Sequence, residues 1–324
     1  MLNVIPDAQR RTAVEIADQL DLTAGDRAAK QSAFWIMLSL SGVIAVCGVA
    51  TDSTATVIGA MIVAPLSTPI LGLGFGIVVG RPRLVRNSAV TVVLGVLIVI
   101  ALGAVVAQIL PNPSGVLDNS QVVGRTSPAV ADLLAALATG LVGAIAIARR
   151  DVADVLPGVA IAISLVPPLG VVGVCLGSQA YSLAAGALVL FLSNVIAMVV
   201  TGVAVFSVAG YRPAAVPGTR HWRRIRLVLA AALVAIAIPM VVNSLNTLWS
   251  RQIADATTAW LHDHGTPAQV TDVSVNGETA TVQVRGAQAL PPVDELQRTV
   301  DDIVPWAPRV VVEYTLGGRE EGHR

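Results

Sequence analysis

Charge is what this sequence has least of. Asp, Glu, Lys and Arg make up 13% of its 324 residues, against about 25% in soluble globular chains, so most of the chain cannot face water. Aromatics are scarce too, at 4%, and Ala, Val, Leu, Ile and Gly supply the apolar mass. Lysine is nearly missing: Lys30 stands alone, and Arg carries almost all positive charge. The 21 basic and 21 acidic residues cancel, so no global field or basic patch points to nucleic acid. Cys47 and Cys175 lie inside apolar runs. They are too few for a disulfide framework or metal knuckle and read as reduced, buried, small apolar residues. GxSxG, HExxH, CxxC and paired membrane carboxylates are missing, so no enzyme activity and no cofactor are expected. No cleavable signal peptide is expected either, because residues 1–31 mix acids and bases and the first apolar run starts only near Ser32. Residues 1–31 read as a cytoplasmic segment with one short amphipathic helix through Val14, Ile16 and Leu20.

What is present is length of apolar run. Mean hydropathy is +0.73, and a bilayer core needs ~20 apolar residues of helix. Seven runs qualify: Ser32–Ala50, Thr54–Gly80, Ser88–Leu110, Pro128–Ala148, Val155–Leu176, Ser182–Ala209 and Ile225–Leu248. The arginines orient them. Basic loops follow the second run (Arg81, Arg83, Arg86), the fourth (Arg149, Arg150) and the sixth (Arg212, Arg220, Arg223, Arg224, Arg226). The loops between hold Asp52, then Asp118 and Arg125, then no charge. The alternation predicts a multi-pass protein of the bacterial inner membrane with a cytoplasmic N-terminus and an external C-terminus.

A shift of 99 positions lays spans one to three on spans four to six. Asp52 falls on Asp151, Gly59 on Gly158, Leu66 on Leu165, Pro69 on Pro168 and Gly74 on Gly173, without a gap from Asp52 to Gly74. Three spans per copy is an odd number, so the second copy must be upside down, the 3+3 inverted repeat of secondary transporters. The repeats run over about 32–110 and 128–209, with an extra span at 225–248, in a transmembrane domain of 32–249.

The second and fifth spans also carry the prolines: Pro65 and Pro69 in one, Pro167 and Pro168 in the other. Proline lacks an N–H and clashes with the carbonyl a turn back, so each window frees carbonyls that lipid cannot satisfy. One reading is a site for a small solute or ion built from those carbonyls with Ser67, Thr68 and Ser164. The other is two structural kinks closed by their own hydroxyls. Asn194, inside the sixth span, reads as interhelical glue or as a ligand contact.

At these residues the chain resembles a known family. Asp52–Ile70 (DSTATVIGAMIVAPLSTPI), Arg125–Asp132 leading to Gly140 and Gly143, Leu156–Leu169 (LPGVAIAISLVPPL) and Phe191–Asn194 resemble the bacterial and archaeal membrane family of domain of unknown function 389. Ser67 departs from the methionine of the family pattern. The resemblance covers roughly Ser32 to Ala209; it implies the architecture and names no activity.

The remaining polar residues sit near span ends. Asp132 fits a cation-attracting outer mouth, a pair with Arg125, or service to its helix N-terminus. Asp52 and Asp151 precede the second and fifth spans and read as N-caps, with Ser53 and Thr54 also able to cap after Asp52. From residue 250 the pattern changes. Ile253, Thr257, Trp260 and Leu261 recur at helical spacing, and Thr271–Val275 and Thr279–Arg285 alternate as strands about Asn276 and Gly277. A helix then follows Pro291 and Pro292, and Arg309–Thr315 reads as a last strand. This αββαβ order gives a small external α+β domain over 250–324, near the size limit for independent stability, so packing on neighbouring copies as a homo-oligomer is expected. His262 and His264, two apart on a helix, face different ways, which disfavours a shared metal. The expectation is an all-α polytopic membrane protein whose partners are the lipid bilayer and a small solute or ion, serving transport as a secondary transporter or channel. The alternative is a membrane receptor or scaffold whose outer domain senses or oligomerises.

Overall fold

The computed structural model describes residues 5–109, 113–152, 165–212, 219–276, 279–286 and 290–316. The chain divides into two compact units, Met1–Met240 and Val241–Arg324.

The first unit is helical. Helix α1 (Ala13–Leu20) opens with a capping box: the Thr12 hydroxyl accepts from the Glu15 N–H, and the Glu15 carboxylate accepts from the Thr12 N–H at 2.7 Å. Ile16 and Leu20 are buried while Val14 is exposed, so the amphipathic face lies on protein. Helix α2 (Arg27–Ala50) starts at the Asp26 N-cap, a full turn before the apolar run. Helices α3 (Thr54–Val63) and α4 (Ser67–Val79) form one bent pair at 46°. Gly80, at φ 71°, ends α4 in the left-handed conformation that glycine adopts freely. Pro82 then opens α5 (Pro82–Ile109) at a position where its missing N–H costs nothing. Short helices α6 (Pro113–Leu117) and α7 (Ser120–Thr126) lead to α8 (Val130–Ala148), α9 (Val166–Gly177) and α10 (Tyr181–Val208).

Helix α11 (Thr219–Asp263) has 45 residues with Pro239 inside it. At ~1.5 Å per residue it is about 68 Å long, more than twice a bilayer core of about 30 Å. The seventh span and the following helix, read separately from the sequence, are thus one helix. No glycine or proline interrupts Met240–Asp263, so nothing stops it at the membrane edge.

Among the described residues five helices are long and apolar enough to cross a membrane: α2, α5, α8, α10 and α11, or six if the α3–α4 pair is one span. The fifth expected span is described only from Leu165 on, where α9 is a shorter apolar helix. Exposed apolar side chains cover the outer faces of these helices, among them Leu40, Val93, Leu97, Leu134, Val234 and Ile238. Faces of this size demand lipid or protein cover, which marks the chain as a membrane protein. Inside, glycines let backbones approach closely. A Cβ on Gly173 of α9 would lie 2.7 Å from the Gly103 Cα of α5, and one on Gly74 of α4 would lie 3.3 Å from the Val199 carbonyl oxygen of α10.

The second unit folds a three-stranded mixed sheet, order β1-β2-β3. Strands β1 (Ala268–Asn276) and β2 (Thr279–Gly286) are antiparallel, with Asn276 paired to Thr279 across the two-residue loop 277–278, which lies outside the described residues. Helix α12 (Val293–Ile303) then crosses to β3 (Arg309–Leu316), parallel to β2. Val282, Val284, Leu296 and Val300 are buried with Ile253 and Leu261 of α11. Gln297 ties α12 to β3, accepting from Val310 N at 2.8 Å and donating to Pro308 O at 2.9 Å.

Candidate functional site

The first proline window breaks its helix over three residues. The last turn of α3 closes with the Ala64 N–H donating to Ala60 O at 3.1 Å; after the break Thr68 N donates to Pro65 O and Ile70 N to Leu66 O. Among the described residues no backbone N–H donates to the carbonyls of Met61, Ile62, Val63 or Ala64. Pro65 has no N–H to offer Met61, and the bend carries the next donors away. The buried Ser41 hydroxyl donates to Ala60 O at 2.8 Å, covering the carbonyl just before the break. Pro65, Ser67 and Thr68 are half-buried, and Leu66 and Pro69 are buried.

The second window is described from Leu165. Helix α9 starts at Val166, so Pro167 and Pro168 occupy its first turn, buried, where proline is tolerated. The sequence reading has each proline window free backbone carbonyls. In both windows the later proline instead lies inside a starting helix: Pro69 is the third residue of α4 and Pro168 the third of α9. Leu66 and Leu165 precede them in equivalent αR conformations, without a side-chain cap, and both are buried in one hydrophobic cluster. Ser164 lies outside the described residues.

Asn194 is buried in α10, beside Ser193, whose hydroxyl donates to Leu190 O at 2.7 Å. A polar crevice of about 10 Å³ adjoins Pro69, lined by Thr23, Asn87, Ser88 and Thr91 among others; that is room for about one water. Asn87 donates to the Thr23 hydroxyl at 3.0 Å. Sequence reasoning passed over Ser41, Asn87 and Thr91, although each is a polar residue within or beside an apolar run.

At one end of the unit Asp52, at φ 50°, is exposed. Ser53, not Asp52, caps α3. Asp52 instead accepts from the Ser120 hydroxyl at 2.7 Å and the Gln121 N–H at 3.2 Å, and the Ser120 bond holds its carboxyl below the ordinary range. Arg125 donates to Gln121 O and Gln121 Oε1, so Gln121 links it to Asp52. Asp132 accepts from Ala129 N at 2.8 Å at the start of α8, which is service to its own helix end.

At the other end Asp151 forms a two-point pair with Arg149, Nη2 to Oδ2 at 2.6 Å, which lowers its carboxyl. Asp151 thus pairs with a guanidinium; the helix that it is expected to cap lies outside the described residues. The N-terminal segment binds here. Arg11 N donates to Ala148 O, Arg150 N to Gln9 O, Arg10 to Ala209 O, and the Tyr211 hydroxyl to Arg11 O. Arg150 grips Glu15 at 2.8 Å, the main reason its carboxyl falls to about 2. The loops therefore sort into two bonded sets. One joins 9–11 with 148–150 and 209–211. The other joins 49–54 with 119–121, where Asn119 donates to Val49 O at 2.6 Å.

The family model described as "Domain of unknown function (DUF389)" matches residues 61–200, a stretch that includes both proline windows and Asn194. An uncharacterized protein of Methanocaldococcus jannaschii is 32% identical over 209 residues, which cover 64% of this chain and 62% of that protein. The chain thus spans under two thirds of that relative's length. No solved structure matches. Over residues 61–200 the chain is thus similar to the family of domain of unknown function 389.

Proposed function

We propose that the chain is a membrane transport protein whose two halves are inverted copies, with the substrate site at the two helix breaks. The observation that carries this is an exchange of partners. Helices α5 and α10 each have 28 residues, and both ends of α10 lie 99 residues after those of α5; α9 starts 99 residues after α4. Gly74 packs on Val199, Gly202 and Val203, while Gly173 packs on Ile100, Gly103 and Ala104. Every member of one set is 99 residues from its counterpart in the other. Half-helix α4 packs on the second copy's long helix and α9 on the first copy's, as a two-fold axis between halves requires. With three spans per half the axis lies in the membrane plane, as in secondary transporters. The two bonded loop sets support seven spans, the N-terminus and the 148–150 and 209–211 loops sharing a side. The arginine alternation favours the cytoplasm for that side and the exterior for the C-terminal domain, in a bacterial plasma membrane.

The chemistry of the breaks favours acceptors. Four carbonyls at Met61–Ala64 lack backbone donors among the described residues, while prolines early in α4 and α9 remove N–H groups that an anion would need. A small cation, or a neutral solute rich in donors, fits that inventory. Carrying the Gly95–Leu66 contact over by 99 residues brings Asn194 beside Leu165, which gives its amide a role at the second break.

The test is flux in proteoliposomes, using Na⁺, K⁺ and H⁺ gradients read by electrical current and glycerol and urea read by light scattering. One of these should cross faster than in empty liposomes, and Asn194→Leu should abolish that flux while the protein stays folded. Equal leak with and without protein for all five would overturn transport of these classes. Unchanged flux in Asn194→Leu would remove that side chain from the site.

A further inference from the structure

We infer that the corner between α4 and α5 binds an anionic phospholipid. A groove of about 510 Å³ opens there. Arg81 and Arg86 form its polar part, and Ile77, Val85, Ala89 and Ile225 are among its apolar lining. The corner is fixed: Gly80 turns the chain and Arg81 N donates to Gly76 O at 2.9 Å.

The two guanidinium groups are open to an anion. Among the described residues neither has an ion pair or hydrogen bond to a side-chain or backbone acceptor. Four arginines elsewhere in the unit are engaged: Arg10 with Ala209 O, Arg125 with Gln121, Arg149 with Asp151 and Arg150 with Glu15. Residues 76–89 contain no acid and three arginines, so the counter-charge must come from outside the segment. Arg86 also heads an apolar stripe. Ala89 or Val90, Val93 and Leu97 follow at helical spacing on α5, and Val90, Val93 and Leu97 are exposed. A phosphate on the arginines would place an acyl chain along that stripe. A free anion would gain nothing from the apolar lining, so the geometry selects a lipid. A similar basic-to-apolar surface, Arg223 and Arg224 followed by Leu227, Val228 and Ala231, lies on α11. This inference needs only the membrane setting and does not depend on transport.

The test uses the full chain in neutral detergent, with thermal unfolding and native mass spectrometry as readouts. Dioleoylphosphatidylglycerol should bind and raise the Tm, whereas dioleoylphosphatidylcholine and sodium phosphate should not. At about 1 kcal/mol for each arginine near a lipid surface, Arg81→Gln with Arg86→Gln should weaken phosphatidylglycerol binding about thirtyfold. Ala89→Trp, which fills the groove and keeps both charges, should weaken it too. Arg150→Gln should leave it unchanged. Both arginines are exposed, so the double variant should melt like the parent without lipid. Unchanged phosphatidylglycerol binding in the double variant would overturn the site. An equal shift with sodium phosphate, or full lipid binding in Ala89→Trp, would overturn the lipid assignment.

Discussion

Gly173→Ala is the sharpest probe of how the first unit is held together. The added Cβ would meet the Ile100 carbonyl oxygen and lie 2.7 Å from the Gly103 Cα and 3.0 Å from the Ala104 nitrogen. Ordinary carbon contacts are about 3.5–4.0 Å, and backbone cannot rotate aside as a side chain can. Helices α9 and α5 must therefore separate by roughly 1 Å. Overpacking of this kind costs about 1–3 kcal/mol, and backbone obstacles put this site at the upper end. Replacing a helical glycine by alanine returns about 1 kcal/mol of propensity, so the net loss is about 2 kcal/mol. Gly74→Ala is the matched control: its Cβ would find its nearest neighbours at 3.3, 3.4 and 3.5 Å, a shift of a few tenths of an ångström. There the propensity gain of about 1 kcal/mol should roughly offset the strain. Thermal unfolding in detergent, followed by tryptophan fluorescence, reads both. Gly173→Ala should lower the Tm by several degrees and Gly74→Ala should hardly move it. Equal shifts at the two positions, or none at Gly173, would refute the close α9–α5 crossing.

Other outcomes follow from the loops and the second unit. With Cys47 and Cys175 replaced by alanine, a single cysteine at Asp272 should react with an impermeant thiol reagent on intact cells and one at Arg83 should not; the opposite pattern would reverse the orientation. The Glu15 carboxyl falls from its ordinary 4.5 to about 2 when folded. Its contribution to holding the N-terminal segment is therefore present in full above about pH 4.5 and is lost as pH falls toward 2. Arg150→Gln should raise that pKa, and proteolysis at the N-terminal segment should then begin at a higher pH; an unchanged pH profile would contradict the pairing. Trp306→Ala removes an edge-on contact with Trp249 at 4.4 Å between ring centroids and should destabilise the second unit by about 1 kcal/mol beyond the lost burial, read as a lower melting temperature for the isolated far-UV strand signal.

Apolar periodicity made most of the helices legible, since burial in lipid leaves few other patterns. Span ends were harder. The start of α2 rests on the Asp26 cap, a single side chain in a charged stretch, and hydropathy is blind to it. The continuity of α11 was hidden by the shift in composition after Leu248, because polarity changes there while helix propensity does not. The roles of acids were misread where the partner came from afar: Asp52 looks like a cap from its neighbours, yet its bonds go to Ser120 and Gln121, almost 70 residues on. The proline windows were visible as prolines, but which side of each proline unwinds depends on where the next helix starts. The exchange of glycine contacts needed coordinates, although its 99-residue spacing was already written in Gly74 and Gly173.

The most direct measurement is an experimental density map of the full chain in lipid nanodiscs. Residues 32–110 should superpose on 128–209 about a two-fold axis in the membrane plane, with the breaks before Ser67 and Val166 facing a shared polar cavity. Superposition about an axis along the membrane normal, or continuous lipid-packed helices through both breaks, would contradict that arrangement.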